Sequence, residues 1–296
     1  MTGSPVTGEA EVADEVLDQP PESVVERATS IGAERLCRTP FDIFITGVIG
    51  GVEVSLGGLA AAAVIGAVAP LPHAGLYVGL AVAGLVFPVG FFFVIMGRSE
   101  LFTENFLIPV VGVLSDRRPL RELPQLWGIS WSGNVLGCAA VAALISVPEA
   151  IGPSIIDGYA RYAAYKLSVP PTGTLVSAIL AGMTMTVLTW LLIALRQPIV
   201  KVVAIWAAGY VLFATNLSHA IVGAAMIFTG FVHAHQTWQA VAVWLGLSTA
   251  GNLFGGVTLV TCFRLVQARH RQQPRARAHR AGGEGRRSPD GVPRPR

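Results

Sequence analysis

The sequence predicts an all-α polytopic membrane protein with six transmembrane helices arranged as an inverted repeat of three plus three. Three observations carry this reading: an apolar composition, six apolar stretches of membrane-crossing length, and a motif that occurs once in each half. Of 296 residues, 52% are hydrophobic and 13% charged, with a mean hydropathy of +0.58. A soluble domain carries roughly 25% charged residues. A surface that faces lipid needs no charge, so a bilayer accommodates so apolar a chain.

The formal charge of +3 averages two unlike ends. The first 40 residues hold eight acidic and three basic side chains, whereas Arg264 to Arg296 holds ten Arg against two acids. Beside a membrane, the basic tail reads as a cytoplasmic retention signal rather than a nucleic-acid arm. Cys37, Cys138 and Cys262 form no disulfide framework, and the latter two sit in apolar runs as small hydrophobes. No basic n-region followed by an apolar h-region is present, so the first apolar run serves as the insertion signal.

Residues 1–21 are acidic, contain Pro20 and Pro21, and read as a disordered tail. From Glu22, the spacing of Val24, Val25, Ala28, Ile31 and Leu36 predicts an amphipathic cytoplasmic helix over 22–39. The six-span domain, 40–265, follows. Its apolar stretches run over 41–69, 74–112, 124–147, 174–195, 199–229 and 238–264, each long enough for the ~20 residues that cross hydrocarbon. Prolines such as Pro70, Pro124, Pro148, Pro171 and Pro198 punctuate the connections. The remainder, 266–296, is rich in Arg, Pro and Gly and reads as disordered.

Basic residues set the orientation. Arg117, Arg118 and Arg121 follow the second span, Arg196 and Lys201 the fourth, and both tails are basic beside the membrane. The connections after the first and fifth spans carry no Lys or Arg. Both termini are therefore expected in the cytoplasm of a cell whose inner (plasma) membrane holds the protein.

The second and fifth spans are too long for one straight crossing, and each has a polar interruption: Gly97 to Asn105 in one, Ala214 to His219 in the other. Irregular polar backbone at membrane depth survives only where protein buries it or it lines a water-filled cavity. Ser132-Gly133-Asn134-Val135-Leu136-Gly137 in span three matches Ala250-Gly251-Asn252-Leu253-Phe254-Gly255 in span six. Each copy follows its interruption by about 30 residues. An odd number of spans between copies inverts the halves, and matching interruptions in inverted halves point to a substrate pathway.

These residues resemble the formate/nitrite transporter family over roughly 22–265. The pieces that carry the resemblance are Leu101-Phe102-Thr103, the two Gly-Asn motifs and Ser218-His219-Ala220-Ile221-Val222. Arg98 to Asn105 and Ser218 to Gly223 are worded most like a branch with poorly assigned substrates. The resemblance implies an aquaporin-like fold, a homopentamer with a pore in each protomer, and passage of small monovalent anions or their conjugate weak acids. It implies a central His219 with Thr103 nearby, constrictions at Phe102 and near Leu212 or Phe213, and Lys166 in the external vestibule. The sequence departs from the formate and nitrite members at Gly182, usually Asn, and at Ser218, often Glu. An Asn that often follows the His is replaced by Val222 and Gly223.

Beside the resemblance, the residues carry their own readings. His219 is the one His inside a predicted span, and an intramembrane ionisable group is a functional candidate. With an unperturbed pKa near 6.5 an imidazole can hand a proton to a weak-acid anion. Thr103 is read as a hydrogen-bond partner of substrate or His219. Asn134, Asn252, Ser218 and Asn216 are read as support for the breaks. Arg98, Glu100 and Glu104 are expected either to pair with one another, the preferred reading, or to face the cytoplasmic mouth. Glu53 in span one either bonds a neighbouring helix or joins the polar core. Lys166 reads as a solvated loop residue or an anion attractor. His233 and His235 lack a nearby Cys or carboxylate and read as a bare external loop, so no metal and no other cofactor is expected. The rival functions are a proton- or sodium-coupled transporter using Glu53, an intramembrane serine protease using Ser132 and His219, and a membrane anchor for a partner of the Arg tail.

Overall fold

The protein was analysed as a computed structural model that describes residues 21–71, 75–115, 118–147 and 149–268. Those residues are mainly helical, with no strand among them. Of the expected disordered tails, 1–21 and 266–296, residues 1–20 and 269–296 lie outside the described residues, whereas Pro21 begins a helix and residues 266–268 end one.

Helix α1 (Pro21–Leu36) lays Val24 and Ala28 on the end of the second span, against Leu107, Ile108 and Val111. Thr39 caps α2 (Pro40–Val68), its hydroxyl accepting the Asp42 N–H, and Pro40 takes the first helical position, where its missing N–H costs nothing. Span two is α3 (Leu76–Val86), a step at Phe87 and Pro88, then α4 (Val89–Gly97). Arg98 ends α4 in a left-handed conformation, φ 58°. A 3-10 turn (Phe102–Phe106) and the short α5 (Ile108–Leu114) complete the span. Then come α6 (Glu122–Ile145), α7 (Pro153–Ser168) and α8 (Pro171–Ala194). Span five is α9 (Pro198–Ala214) and α10 (Ala220–His233), with Asn216 between them at φ 56°. Helix α11 (Trp238–Phe254) passes through a π-helical stretch (Gly255–Thr261) and continues to Ala268.

Among the described residues, five helical segments are long and apolar enough to cross a membrane: α2, α3 with α4, α6, α8, and α11 with its continuation. The predicted fifth span is instead the pair of shorter helices α9 and α10. The interruptions at 97–105 and 214–219 coincide with the helix breaks.

One element departs from expectation. The stretch after span three, read as a loop, contains the 16-residue α7. It buries Tyr159, Tyr162, Ala163 and Lys166 against α2 and α10. Glycine permits that packing, since Gly230 abuts the Tyr159 carbonyl and Gly158 abuts the Ala62 carbonyl, where a Cβ would clash.

Candidate functional site at the crossing of the two breaks

The breaks of spans two and five meet in the centre of the bundle. Thr103 Oγ1 lies 2.9 Å from His219 Nε2, and both residues are buried. The peptide chain itself assigns the ring's proton: the Val222 N–H donates to His219 Nδ1 at 3.1 Å. Nδ1 is therefore the acceptor, and Nε2–H donates to the Thr103 hydroxyl, an assignment made from the hydrogen-bond network.

Two asparagines hold the broken backbone in matching ways. Asn134 Oδ1 accepts the Phe102 N–H at 2.8 Å, and its Nδ2 donates to the carbonyls of Gly47 and Glu100, both at 2.8 Å. Asn252 Oδ1 accepts the Ala220 N–H at 2.9 Å, and its Nδ2 donates to the carbonyls of Ala178 at 2.8 Å and Ser218 at 2.9 Å. Each amide thus satisfies two buried backbone groups that the interruption leaves without helical partners, and ties the break to a mid-helix carbonyl of a neighbouring span. The same geometry in both halves is the inverted repeat expressed in hydrogen bonds.

Aromatic side chains surround the centre. Phe91 lies 6.0 Å from the His219 ring, and Phe87 stacks on Phe213 at 4.7 Å, which in turn stacks on Tyr162 at 5.7 Å. Phe102 meets Phe106 edge to face at 4.9 Å. Leu212 and Phe213, the two alternatives for one constriction, are both buried. Phe87, Phe91, Phe106 and Tyr162 were not singled out from the sequence. Inside an apolar span, composition does not distinguish an inward Phe from a lipid-facing one.

Lys166 corrects the reading of a solvated loop residue. It lies on α7, 1% exposed, with Nζ donating to the carbonyls of Asn216 at 2.6 Å and Leu217 at 3.0 Å and to Ser218 Oγ at 3.4 Å. Burial pushes its ammonium down to about 7. These acceptors lie just beyond the C-terminal end of α9, where a cation meets the negative end of the helix dipole.

The charges of the second break do not pair with one another as expected. Glu100, 2% exposed, instead takes Arg38 at 2.7 Å and Arg35 at 3.6 Å, and accepts from Asn105 Nδ2 at 2.7 Å. Arg35 also donates to Asn105 Oδ1 at 2.9 Å. Arg98 is exposed. The N-terminal helix and the start of span one are thereby tied to the break, a long-range contact with no local sequence signal.

Glu53 is half-buried beside Gly97, and its Oε2 has no hydrogen-bond partner. Ser132 donates to its own helix at the Gly128 carbonyl, 2.7 Å, while His219 is engaged with Thr103. No serine–histidine pair is formed. Among the described residues, no group of three His, Cys, Asp or Glu could hold a metal ion.

The formate/nitrite transporter family model matches residues 22–266. The chain is 31% identical over 261 residues to the "Probable formate transporter" of Methanothermobacter thermautotrophicus, covering 80% of this chain and 92% of that one. Its fold matches a solved "FNT family ion channel" with a TM-score of 0.72 at 20% identity, over 83% of this chain and 98% of that one. It also matches a "Pentameric formate channel with formate bound" with a TM-score of 0.63 at 16% identity, over 77% and 96%. This chain belongs to the formate/nitrite transporter family.

Proposed function

We propose that this protein passes small monovalent anions, or their conjugate weak acids, through a pore in each protomer of a homopentamer, with His219 as the central proton donor. The observation that carries this reading is the Thr103–His219 hydrogen bond, made where the two broken spans meet among buried aromatic side chains. A bare anion entering such a constriction bears a desolvation cost of several kcal/mol; a neutral acid does not. Family membership and the pentameric fold relative support the substrate class and the assembly.

In this reading the chain crosses the inner membrane six times with both termini in the cytoplasm. Lys166 sets a positive charge beside the break and draws the anion inward. A neutral imidazole is too weak an acid to protonate a carboxylate. His219 therefore first takes a proton at Nδ1, displacing the Val222 N–H, then gives up its Nε2 proton through the Thr103 hydroxyl. The proton taken up from the solution on the entry side cancels the anion's charge, the ring returns to its neutral form, and the substrate continues as the acid.

The test is liposome flux with a panel of formate, acetate, lactate, nitrite, hydrosulfide and chloride. The weak-acid anions are expected to pass and chloride to lag; equal chloride flux would refute the proton-donor reading. Glu53, with an unpartnered buried oxygen, keeps a coupled transporter as the second reading. Uptake that follows an imposed sodium gradient would favour it.

A further inference from the structure

Two cavities open along α8 and α9, one of them also lined by α1. One, of about 440 Å³, lies where α8 ends and α9 begins, and its described lining is Ser23, Arg27, Leu195, Arg196 and Lys201. Three of these five side chains are cationic. The other, of about 650 Å³, runs between the same two helices and is almost wholly apolar, with Val187 and Leu191 on one wall and Ala204, Ala208 and Val211 on the other.

The sequence builds both cavities on one face of each helix. On α9, Lys201, Ala204, Ala208, Val211 and Thr215 follow helical spacing, so the basic end and the groove share a face. The alanines make the groove, because they leave open the volume that larger side chains would fill. On α8, Leu191 in the groove stands one turn from Leu195 in the basic cavity. From Leu180 to Leu191 the groove extends about 16 Å at 1.5 Å per residue, close to the roughly 15 Å hydrocarbon depth of one leaflet. Ile199 and Val203, 67% and 61% exposed, continue the apolar surface beside the basic end.

We propose that this junction binds one anionic phospholipid, its phosphate in the Arg27–Arg196–Lys201 cavity and an acyl chain in the α8–α9 groove. Basic pockets between helices at the cytoplasmic face are suited to such headgroups, and charge complementarity together with the continuous groove selects a lipid over a purely apolar occupant. The inference rests on the proposed membrane orientation but not on the pore mechanism.

The test is native mass spectrometry of the full-length protein titrated with phosphatidylglycerol or phosphatidylcholine. Phosphatidylglycerol should bind roughly tenfold more tightly or better, and the double variant Arg196→Gln, Lys201→Gln should lose that preference. The charge-conserving Arg196→Lys, Lys201→Arg protein should keep it, which separates charge from folding. Equal binding of the two lipids would overturn the proposal. So would displacement of phosphatidylglycerol by millimolar inorganic phosphate, which would assign the site to a free anion. Cross-linking of a photoreactive residue placed at Ala207 to a neighbouring protomer would also overturn it, by showing that a second copy fills the groove. Formate flux in the Gln variant should be retained, so loss of lipid binding does not count against the pore reading.

Discussion

Asn134 and Asn252 occupy equivalent places in opposite halves of the molecule. Each accepts one backbone N–H from the half-helix after a break and donates to two carbonyls, one in the preceding break and one in a neighbouring span. A single residue type thus stabilises both interruptions that form the centre of the proposed pore.

Replacing either asparagine with Ala is predicted to destabilise the fold markedly. Each change leaves two buried groups of a break unpaired, one N–H and one carbonyl, and a buried unsatisfied group costs about 1–3 kcal/mol. Thermal unfolding in detergent should show a large drop for both variants. A drop confined to one of them would argue against equivalent roles.

The resemblance implies that Gly182 takes the place of an Asn usual in formate and nitrite members, which makes Gly182→Asn a tempting exchange. The structure predicts that it fails. A Cβ at Gly182 would press on the Asn252 carbonyl, as one at Gly51 would press on that of Asn134. Because the opposing atoms are backbone, neither can swing aside. Both Gly182→Asn and Gly51→Ala should lower the unfolding temperature, and an unchanged value in Gly182→Asn would show that α8 and α11 can separate freely.

Glu100 is buried among Arg35, Arg38 and Asn105. Removing one partner of a buried charge pair costs about 3–5 kcal/mol; the partly exposed Arg38 should place the loss near the lower end. Glu100→Ala is therefore expected to loosen the N-terminal helix, detected as faster proteolysis within residues 21–39 of the otherwise folded protein. Unchanged cleavage rates would show that the apolar contacts of Val24 and Ala28 hold α1 alone.

Lys166 gives a pH dependence with a defined sign. Burial brings its ammonium down to about 7, so the positive charge is present below that pH and fades as pH rises through it. If the charge draws anions inward, wild type should exceed Lys166→Met in flux most at pH 6, with the gap narrowing by pH 8. A constant ratio across that range would remove Lys166 from the pathway and leave it the role of tying α7 to the fifth break.

Much of the fold was legible in the sequence because bilayer physics is local. Apolar length, proline punctuation and the polar strings at Gly97–Asn105 and Ala214–His219 gave the spans and their breaks, and the copied Gly-Asn motif gave the inverted halves. What could not be read depended on tertiary contacts. Lys166 looked like a loop cation because the two carbonyls it binds lie 50 and 51 residues away. Arg35 and Arg38 were not singled out because their partner, Glu100, is more than 60 residues distant. Phe87 and Phe91 were hidden in a span where nearly every residue is apolar.

The central claim is that His219 converts an anion to its acid inside a dry pore. Its most direct test compares formate uptake into liposomes by wild type and His219→Phe across external pH 5 to 8, with folding verified by the elution and unfolding temperature of each protein. The account predicts that wild-type uptake rises as external pH falls, and that His219→Phe, which keeps a ring of similar size, loses anion passage while remaining folded. A well-folded His219→Phe protein with the flux and pH profile of wild type would contradict it.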